Sequence, residues 1–485
     1  MTRRRDSAKE VAAFGVELLA AYRRTTATRV QVRAVQQKRL DQVLAAARRA
    51  PFYAGQGLRM LDDVTPIRKA AFLERLQDTV VDPALTRARL FTHVQGGAAP
   101  GEPLLGRYLV ATTSGTSGQI GVFVDDVSGW ARHRAILFAR MFQGLLKPEG
   151  FALLVRRRYR LAFVVAVGGH WLTSILAGRA PKIGRAFAES RVIPIDLPLA
   201  KIVDELNAFK PLLLHSYPSF LELLAAEQRR GTLHIAPELI TVGSEPTTQA
   251  CRAAVRAAFP LARFVETYAA TECLAMATAC PLGVLHVNED ACILEPVDDD
   301  LNSVPHGQLA PRVLVTNLLN MTQPLLRYEL TDSVTIDDHP CACGSPFLVV
   351  RVQGRTDDTF FLLDGLGRAQ AHPPIPMEVS LLGVDGLLQY QLVHESQNKL
   401  RLAFVVEPGP GPNAVEVARE LDQRLSRYLQ EHGLLDQVFY VVEQVDAIER
   451  HARSRKLRQI TSRVAKPDAP LISASAARSP DAGER

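Results

Sequence analysis

The feature that most restricts this chain is an alternation. Short apolar runs, Gly150–Val155 and Pro211–His215, take turns with stretches whose apolar residues recur at helical spacing, Tyr217–Arg230 and Thr247–Ala258. Apolar runs of strand length need cover on both faces, and intervening helices supply it, so the pattern predicts a layered α/β body. Quantity agrees with pattern: 485 residues leave room for several domains, and a 47% apolar, 22% charged composition can fill cores. Whole-chain disorder is excluded.

The ends read differently. Between Ser7 and Ala50, Val11, Phe14, Leu18, Leu19 and Tyr22, then Val35, Leu40, Val43 and Leu44, fit amphipathic helices that close at Pro51. Residues 1–60 hold 13 Lys/Arg against 4 Asp/Glu, a local +9 that exceeds the net +6 of the whole chain. Because this charge sits in a helical stretch, and because Arg156–Arg160 lacks the glycine-aromatic pattern of an RNA-binding sheet, the reading is a solvated helix and no nucleic-acid partner. Glu17 interrupts the apolar VAAFGVELLAAY behind MTRRR, which argues against a secretory leader. The uncharged Leu161–Gly178 is broken by Gly168, Gly169 and His170, so it reads as a strand and a helix, and no membrane partner is expected. Six scattered cysteines fit a reducing cytoplasm better than a disulfide framework.

Leu388–Val393, Leu400–Val406, Val415–His432 and Val438–Val442 read as β-β-α-β, a small α+β unit after about residue 357, with PGPGP at Pro408–Pro412 as its turn. The tail 465–485, rich in Ala, Ser, Pro and Asp, is expected to be disordered. The resulting division is a helical lead-in (1–50), a main domain (51–354), a C-terminal domain (355–464) and the tail.

The chemistry begins at TTSGTSGQIG, Thr112–Gly121, behind a strand at Tyr108–Val110. Glycines let backbone amides approach an anion, and Thr113, Ser114, Thr116 and Ser117 add hydroxyl donors, so the loop suits a phosphate; a plain Gly/Ser turn has the same composition. ITVGSEPTT, ETYAATE, LLRYELTD and VQGRTDD follow in that order. Together the five motifs resemble those of adenylate-forming enzymes, specifically the phenylacetate-CoA ligase branch, over about Pro51 to Val464.

The resemblance implies a large multi-layer α/β adenylate-forming domain with a small mobile α+β lid. It implies ATP, Mg2+ and a small carboxylic acid, aryl or otherwise, which becomes an acyl-adenylate and passes most often to CoA, or to a carrier protein or an amine. In this carry-over Thr113, Ser114, Gly115, Thr116, Ser117 and Gly118 form the phosphate loop, and Gly243, Ser244, Glu245 and Pro246 the adenine turn. Tyr268 stacks on adenine, Thr271 contacts the α-phosphate, Glu272 holds magnesium and Asp332 takes the ribose hydroxyls. Arg355 and Asp357 mark the hinge, and Lys456 of RSRKLRQI bridges carboxylate and α-phosphate. His170, Trp171 and Tyr217 fall where relatives shape the acid pocket, although a buried histidine is as readily satisfied by a backbone partner. Cys280 and His286 in CPLGVLHVNED, with Cys341 and Cys343 in PCACG, offer a tetrahedral set for a structural Zn2+; ordinary reduced cysteines are the alternative. Gln119 and Leu330 replace the lysine and threonine of many relatives. FFLLDGLGRAQAHPP and Ser454-Arg455 also depart from the pattern, which leaves the acceptor open, keeps a catalytically degenerate nucleotide binder as a rival, and leaves oligomeric state open, a homodimer included.

Overall fold

The computed structural model describes residues 2–113, 121–143, 159–167, 170, 172–179, 188–195, 197, 199–245, 247–355, 360–367, 369–372, 377, 380–381, 384–407, 412–449, 457 and 459–464. Five strands at the heart of the fold run parallel in the order β4-β3-β5-β6-β7: β3 (Tyr159–Val165), β4 (Ala188–Pro194), β5 (Leu213–Ser216), β6 (Leu239–Val242) and β7 (Arg263–Tyr268). LITV of β6 is buried along its whole length, as a strand covered on both faces must be. The cover comes from α7 (Leu199–Phe209), α8 (Pro218–Arg230) and α9 (Gln249–Ala258), numbered in chain order, whose Leu206, Leu221, Leu224 and Val255 share one core with Val164, Leu214 and Ile240. This is the layered α/β body that the alternation predicts.

Beyond β7 the sheet continues antiparallel through β8 (Ala277–Ala279), β9 (Leu285–Val287), β15 (Val349–Arg355), β14 (Asp332–Asp337) and β11 (Leu309–Ala310), ten strands in all. A hairpin of β1 (Tyr108–Thr112) and β2 (Val122–Asp126) and a sheet of β10 (Cys292–Val297), β12 (Arg312–Asn317) and β13 (Tyr328–Leu330) pack with it in a second core, where Tyr328 meets Phe72 edge-on at 5.4 Å.

After a short hairpin of β16 (Phe360–Leu363) and β17 (Ala369–His372), a four-stranded sheet forms from β18 (Leu387–Ser396), β19 (Lys399–Val406), β20 (Phe439–Gln444) and β21 (Ile460–Ser462). α10 (Ala414–Glu431), capped by Asn413 in a capping box with Glu416, lays Val417, Leu421, Leu425 and Leu429 into its core. The β-β-α-β expectation holds here, and β21 adds a strand parallel to β18 that three residues were too few to announce. The chain is thus a large mixed α/β body with a small α+β C-terminal unit.

The N-terminal arginines correct their sequence reading. α1 (Thr2–Arg24) lies along α5 (Val127–Met141), with Phe14 edge-on to Phe138 at 6.0 Å, and α2 (Arg29–Ala47) follows. Arg24 bonds Asp290 at 2.7 Å and also Glu17; Arg39 bonds Glu17 at 2.7 Å and also the Asp290 carbonyl; Arg29 reaches Glu289. Arg140 of α5 meets the same Asp290 at 2.9 Å. Burial pushes the Asp290 carboxyl up, but Arg140, Arg24 and Arg39 outweigh it and hold its pKa below the ordinary value. Lys9, Arg23, Arg33 and Lys38 do face solvent, whereas Arg24, Arg29 and Arg39 tie the lead-in to the body. Their partners Asp290 and Glu289 lie about 250 residues or more downstream, beyond the reach of local pattern. Val11 and Leu19, counted in the apolar stripe, are 69% and 53% exposed.

Gly150–Val155, Arg156–Arg158 and the tail 465–485 lie outside the described residues. Among the described residues, no helix is long and apolar enough to cross a membrane.

Candidate functional site

The parallel strands end in register. Val164 of β3 pairs with Ser216 of β5, Ser216 with Val242 of β6, and Val242 with Glu266 of β7. Their carboxyl ends therefore open on one edge, where ligands of open α/β sheets bind because the departing loops leave a crevice. His170 follows β3, Tyr217 follows β5, Ser244 and Glu245 follow β6, and Tyr268, Thr271 and Glu272 close β7.

At the end of β7 the Tyr268 hydroxyl donates to Asp332 Oδ2 at 2.7 Å. Asp332 opens β14, where it pairs with Arg355 of β15. Past Tyr268 the chain reverses in a turn closed by Ala270 N–H to Cys273 O (3.1 Å) and Cys273 N–H to Ala270 O (3.2 Å), with Thr271 and Glu272 at its tip. Asn317 steadies that turn by donating Nδ2–H to the Glu272 carbonyl at 3.0 Å. Glu272 is buried, and Cys273 is 1% exposed, a packing residue as its neighbourhood suggested.

β6 leaves the sheet through a tight corner. A Cβ on Gly243 would stand 2.7 Å from Thr267 Oγ1, which itself donates to Val242 O at 2.8 Å, so only glycine fits. Ser244 then takes φ +74°, a left-handed conformation that costs a non-glycine residue about 1 kcal/mol or more. Glu245 turns its carboxylate to the N–H of Ser219 (3.1 Å) in the first turn of α8 and to the N–H of Leu457 (2.7 Å) in the C-terminal unit.

The hydroxyl-rich loop leaves β1 through Thr113 and returns at Gly121. Thr113 N–H donates to Gly121 O (2.9 Å) and Gly121 N–H to Thr113 Oγ1 (2.8 Å), a clamp across the loop's mouth. His170 sits beside it, buried, its carbonyl accepting from Thr112 N–H at 2.8 Å and its ring 5.3 Å from that of His93. Burial first, then His93, lowers the His170 pKa and favours the neutral imidazole. Tyr217 lies deeper: its hydroxyl accepts from Ala166 N–H at 3.2 Å and meets Thr173 Oγ1 at 3.3 Å, which ties the end of β3 to α6 (Leu172–Gly178). Ser114–Gly118, Gln119, Trp171, Pro246, Asp357 and Lys456 lie outside the described residues, as does the side chain of Arg355.

Away from this edge, the donor atoms of Cys280, His286, Cys341 and Cys343 all lie within 4.8 Å of one another. His286 Nδ1 faces the Phe347 carbonyl at 3.0 Å, which fixes the proton there and leaves Nε2, 3.3 Å from Cys343 Sγ, as the ligating atom. Burial, then the neighbouring Cys341 and Cys280 thiols, push the Cys343 thiol up to about 12, although Ser345 N–H donates to its sulfur. A divalent cation reverses that preference, since coordination deprotonates a thiol. Three sulfurs and one imidazole nitrogen match a tetrahedral zinc set with every position taken by protein. Glu289 Oε2 accepts from Leu348 N–H at 2.9 Å and binds Arg29, joining this cluster to α2. Glu289 and Asp290, adjacent acids just after β9 in HVNED, carry no local pattern that points to their partners on α1 and α2.

No family model and no curated protein matches the sequence. Solved structures do. 2-Hydroxyisobutyryl-CoA ligase in its post-adenylation state, in complex with R3-HIB-AMP, superposes with a TM-score of 0.67 over 91% of each chain at 20% identity. The same ligase with 2-HIB-AMP and CoA in the thioesterification state gives 0.54 over 91% of each chain at 20% identity, and its open conformation with both ligands 0.55 over 90% of this chain and 93% of that one, at 20% identity. The likeness spans nine-tenths of each chain, so the protein has the fold of this CoA ligase.

Proposed function

We propose that this protein activates a carboxylic acid with ATP, forming an acyl-adenylate and pyrophosphate, and then transfers the acyl group to CoA. The observation that carries the reading is the Tyr268–Asp332 hydrogen bond at 2.7 Å, because it sets an aromatic face and a carboxylate side by side at the strand edge, next to the turn bearing Thr271 and Glu272. An adenosine needs both: a ring to stack on and an acceptor for its ribose hydroxyls. In the first step a carboxylate oxygen attacks the α-phosphorus, and the bond to pyrophosphate breaks. Anions converge there, and the Thr113 loop, Thr271 and Lys456 are the groups assigned to offset their repulsion. Magnesium would add positive charge, with Glu272, buried at the turn's tip, as its holder. In the second step the thiol sulfur of CoA attacks the acyl carbon, AMP leaves, and the thiol proton passes to solvent.

His170 and Tyr217 border the acid's place in this reading, and Glu245 and Ser244 the adenine's. The Cys280, His286, Cys341 and Cys343 cluster holds a structural zinc, and Arg355 and Asp357 mark the hinge between body and lid. Acid-dependent ATP–pyrophosphate exchange, run across aryl, aliphatic and amino acids, tests the first step; mass analysis of the product with CoA or an amine tests the second. A chain that binds ATP but exchanges no pyrophosphate with any acid would be a nucleotide-binding relic instead.

A further inference from the structure

On the reading above, acid activation and transfer share one edge, and a C-terminal unit that shifts over the body between them would separate the two steps; one side chain here holds body and unit together. Glu245 Oε2 accepts from the backbone N–H of Ser219, and Oε1 from that of Leu457, at 3.1 and 2.7 Å. Ser219 belongs to the first turn of α8, whose N–H groups have no partner within the helix. Leu457 is buried among Ala403 and Ile448 of the C-terminal unit and follows Lys456 in the sequence. The Ser219 carbonyl is engaged as well: Gln389 of β18, itself buried, donates Nε2–H to it at 2.6 Å. At the far end of α8, Arg229 pairs with Glu407 just after β19.

Resting on the reading that the chain adenylates an acid, we propose that Glu245 is a positioning residue, a latch that sets the C-terminal unit for acid activation and lets go for transfer. A carboxylate has two oxygens, and here each is spent on a different rigid part. Hydrogen bonds to an ionised acceptor are roughly twice as strong as neutral ones, and the positive end of α8 favours that ion further. The left-handed turn at Ser244 and the close-packed Gly243 fix where the carboxylate starts from. Moving the unit away breaks the Leu457 and Gln389 bonds and leaves Glu245 on α8, where water takes the vacated positions. The latch therefore biases a two-position equilibrium without touching the reacting atoms.

The test uses the full chain with Glu245→Gln, Glu245→Ala and, from the other side of the contact, Gln389→Ala. Hydrogen–deuterium exchange at the Leu457 amide, measured without substrates, should speed up about tenfold or more in Glu245→Ala and less in Glu245→Gln, as expected when a charge-assisted bond is lost. Pyrophosphate exchange should fall about tenfold in Glu245→Ala, and in Gln389→Ala, which lies outside the nucleotide site, thioester formation from supplied acyl-adenylate should stay within about twofold of the parent while pyrophosphate exchange falls. Gln389→Ala should shift both readouts in the same direction, and it decides the matter if Glu245→Ala fails to fold. Unchanged Leu457 exchange, or equal loss in both half-reactions with a raised KM for ATP, overturns the latch and makes Glu245 a nucleotide contact. If no acid is activated by the parent protein, the adenylation reading fails, and amide exchange alone still decides whether Glu245 joins the two parts.

Discussion

Tyr268 and Asp332 are 64 residues apart in sequence and share one hydrogen bond, so substitutions at the two should not act independently on the proposed nucleotide site. Tyr268→Phe keeps the ring and loses the hydroxyl; Asp332→Ala loses the acceptor. We expect ATP affinity to fall in each, and the double variant to fall short of their sum by about 1–2 kcal/mol, the coupling of a hydrogen bond to a carboxylate. Isothermal titration of ATP against the four proteins measures it, and strict additivity would mean that the two residues serve separate ends. The sequence singles out both residues because each stands in a short motif, ETYAATE or LLRYELTD. The bond between them is not legible there, since it depends on β7 and β14 reaching the same edge of one sheet. Glu245 was legible as part of GSEP, but its grip on Leu457 was hidden for the same reason.

At the scale of elements, local pattern sufficed wherever burial is periodic. α10 and β18 to β20 appear where helical spacing and β-branched runs place them. It found the helices α1 and α2 as well but not the role of their arginines, since Arg24 and Arg29 are balanced by distant Asp290 and Glu289. The cysteine cluster joins β8, β9 and the loop before β15, and its geometry predicts about one zinc per chain in protein purified without added metal. Cys341→Ser should then lower the melting temperature with little change in ATP affinity, because a structural ligand acts on the folded state as a whole. Metal analysis and calorimetry check both, and metal-free protein with an unaltered melting curve would leave ordinary thiols.

Buried histidines give a second prediction at this scale. Burial, with Arg132 and Arg39 nearby, pushes His133 of α5 down to about 3, and burial, with His432 and His394, pushes His372 of β17 to about 3, against 6.5 for a free imidazole. The unfolded chain thus binds the protons that the folded chain refuses. Stability is fully present above about pH 6.5 and falls as pH drops towards 3, by about 1.4 kcal/mol per pH unit for each histidine. His133→Gln should flatten that slope by one proton. Urea unfolding at pH 6.5 and 5.5 reads the difference, and equal slopes in parent and variant would place His133 in contact with water.

For the whole molecule, the arrangement follows from the order of the parts. Strand ends in register make an edge, the loops leaving it carry the polar residues, and the C-terminal unit docks on α8 beside that edge through Ser219. Ordered motifs make this architecture readable in the sequence, whereas the docking itself rests on backbone groups that no side-chain pattern reports. The central claim is that this edge activates an acid with ATP, and acid-dependent ATP–pyrophosphate exchange tests it most directly. The account predicts exchange that depends on a particular class of carboxylic acid and is nearly abolished by Glu272→Ala in a protein that remains folded, because that carboxylate acts on transition-state charge rather than on the core. Exchange that persists undiminished in folded Glu272→Ala, or that no acid elicits from the parent protein, would contradict it.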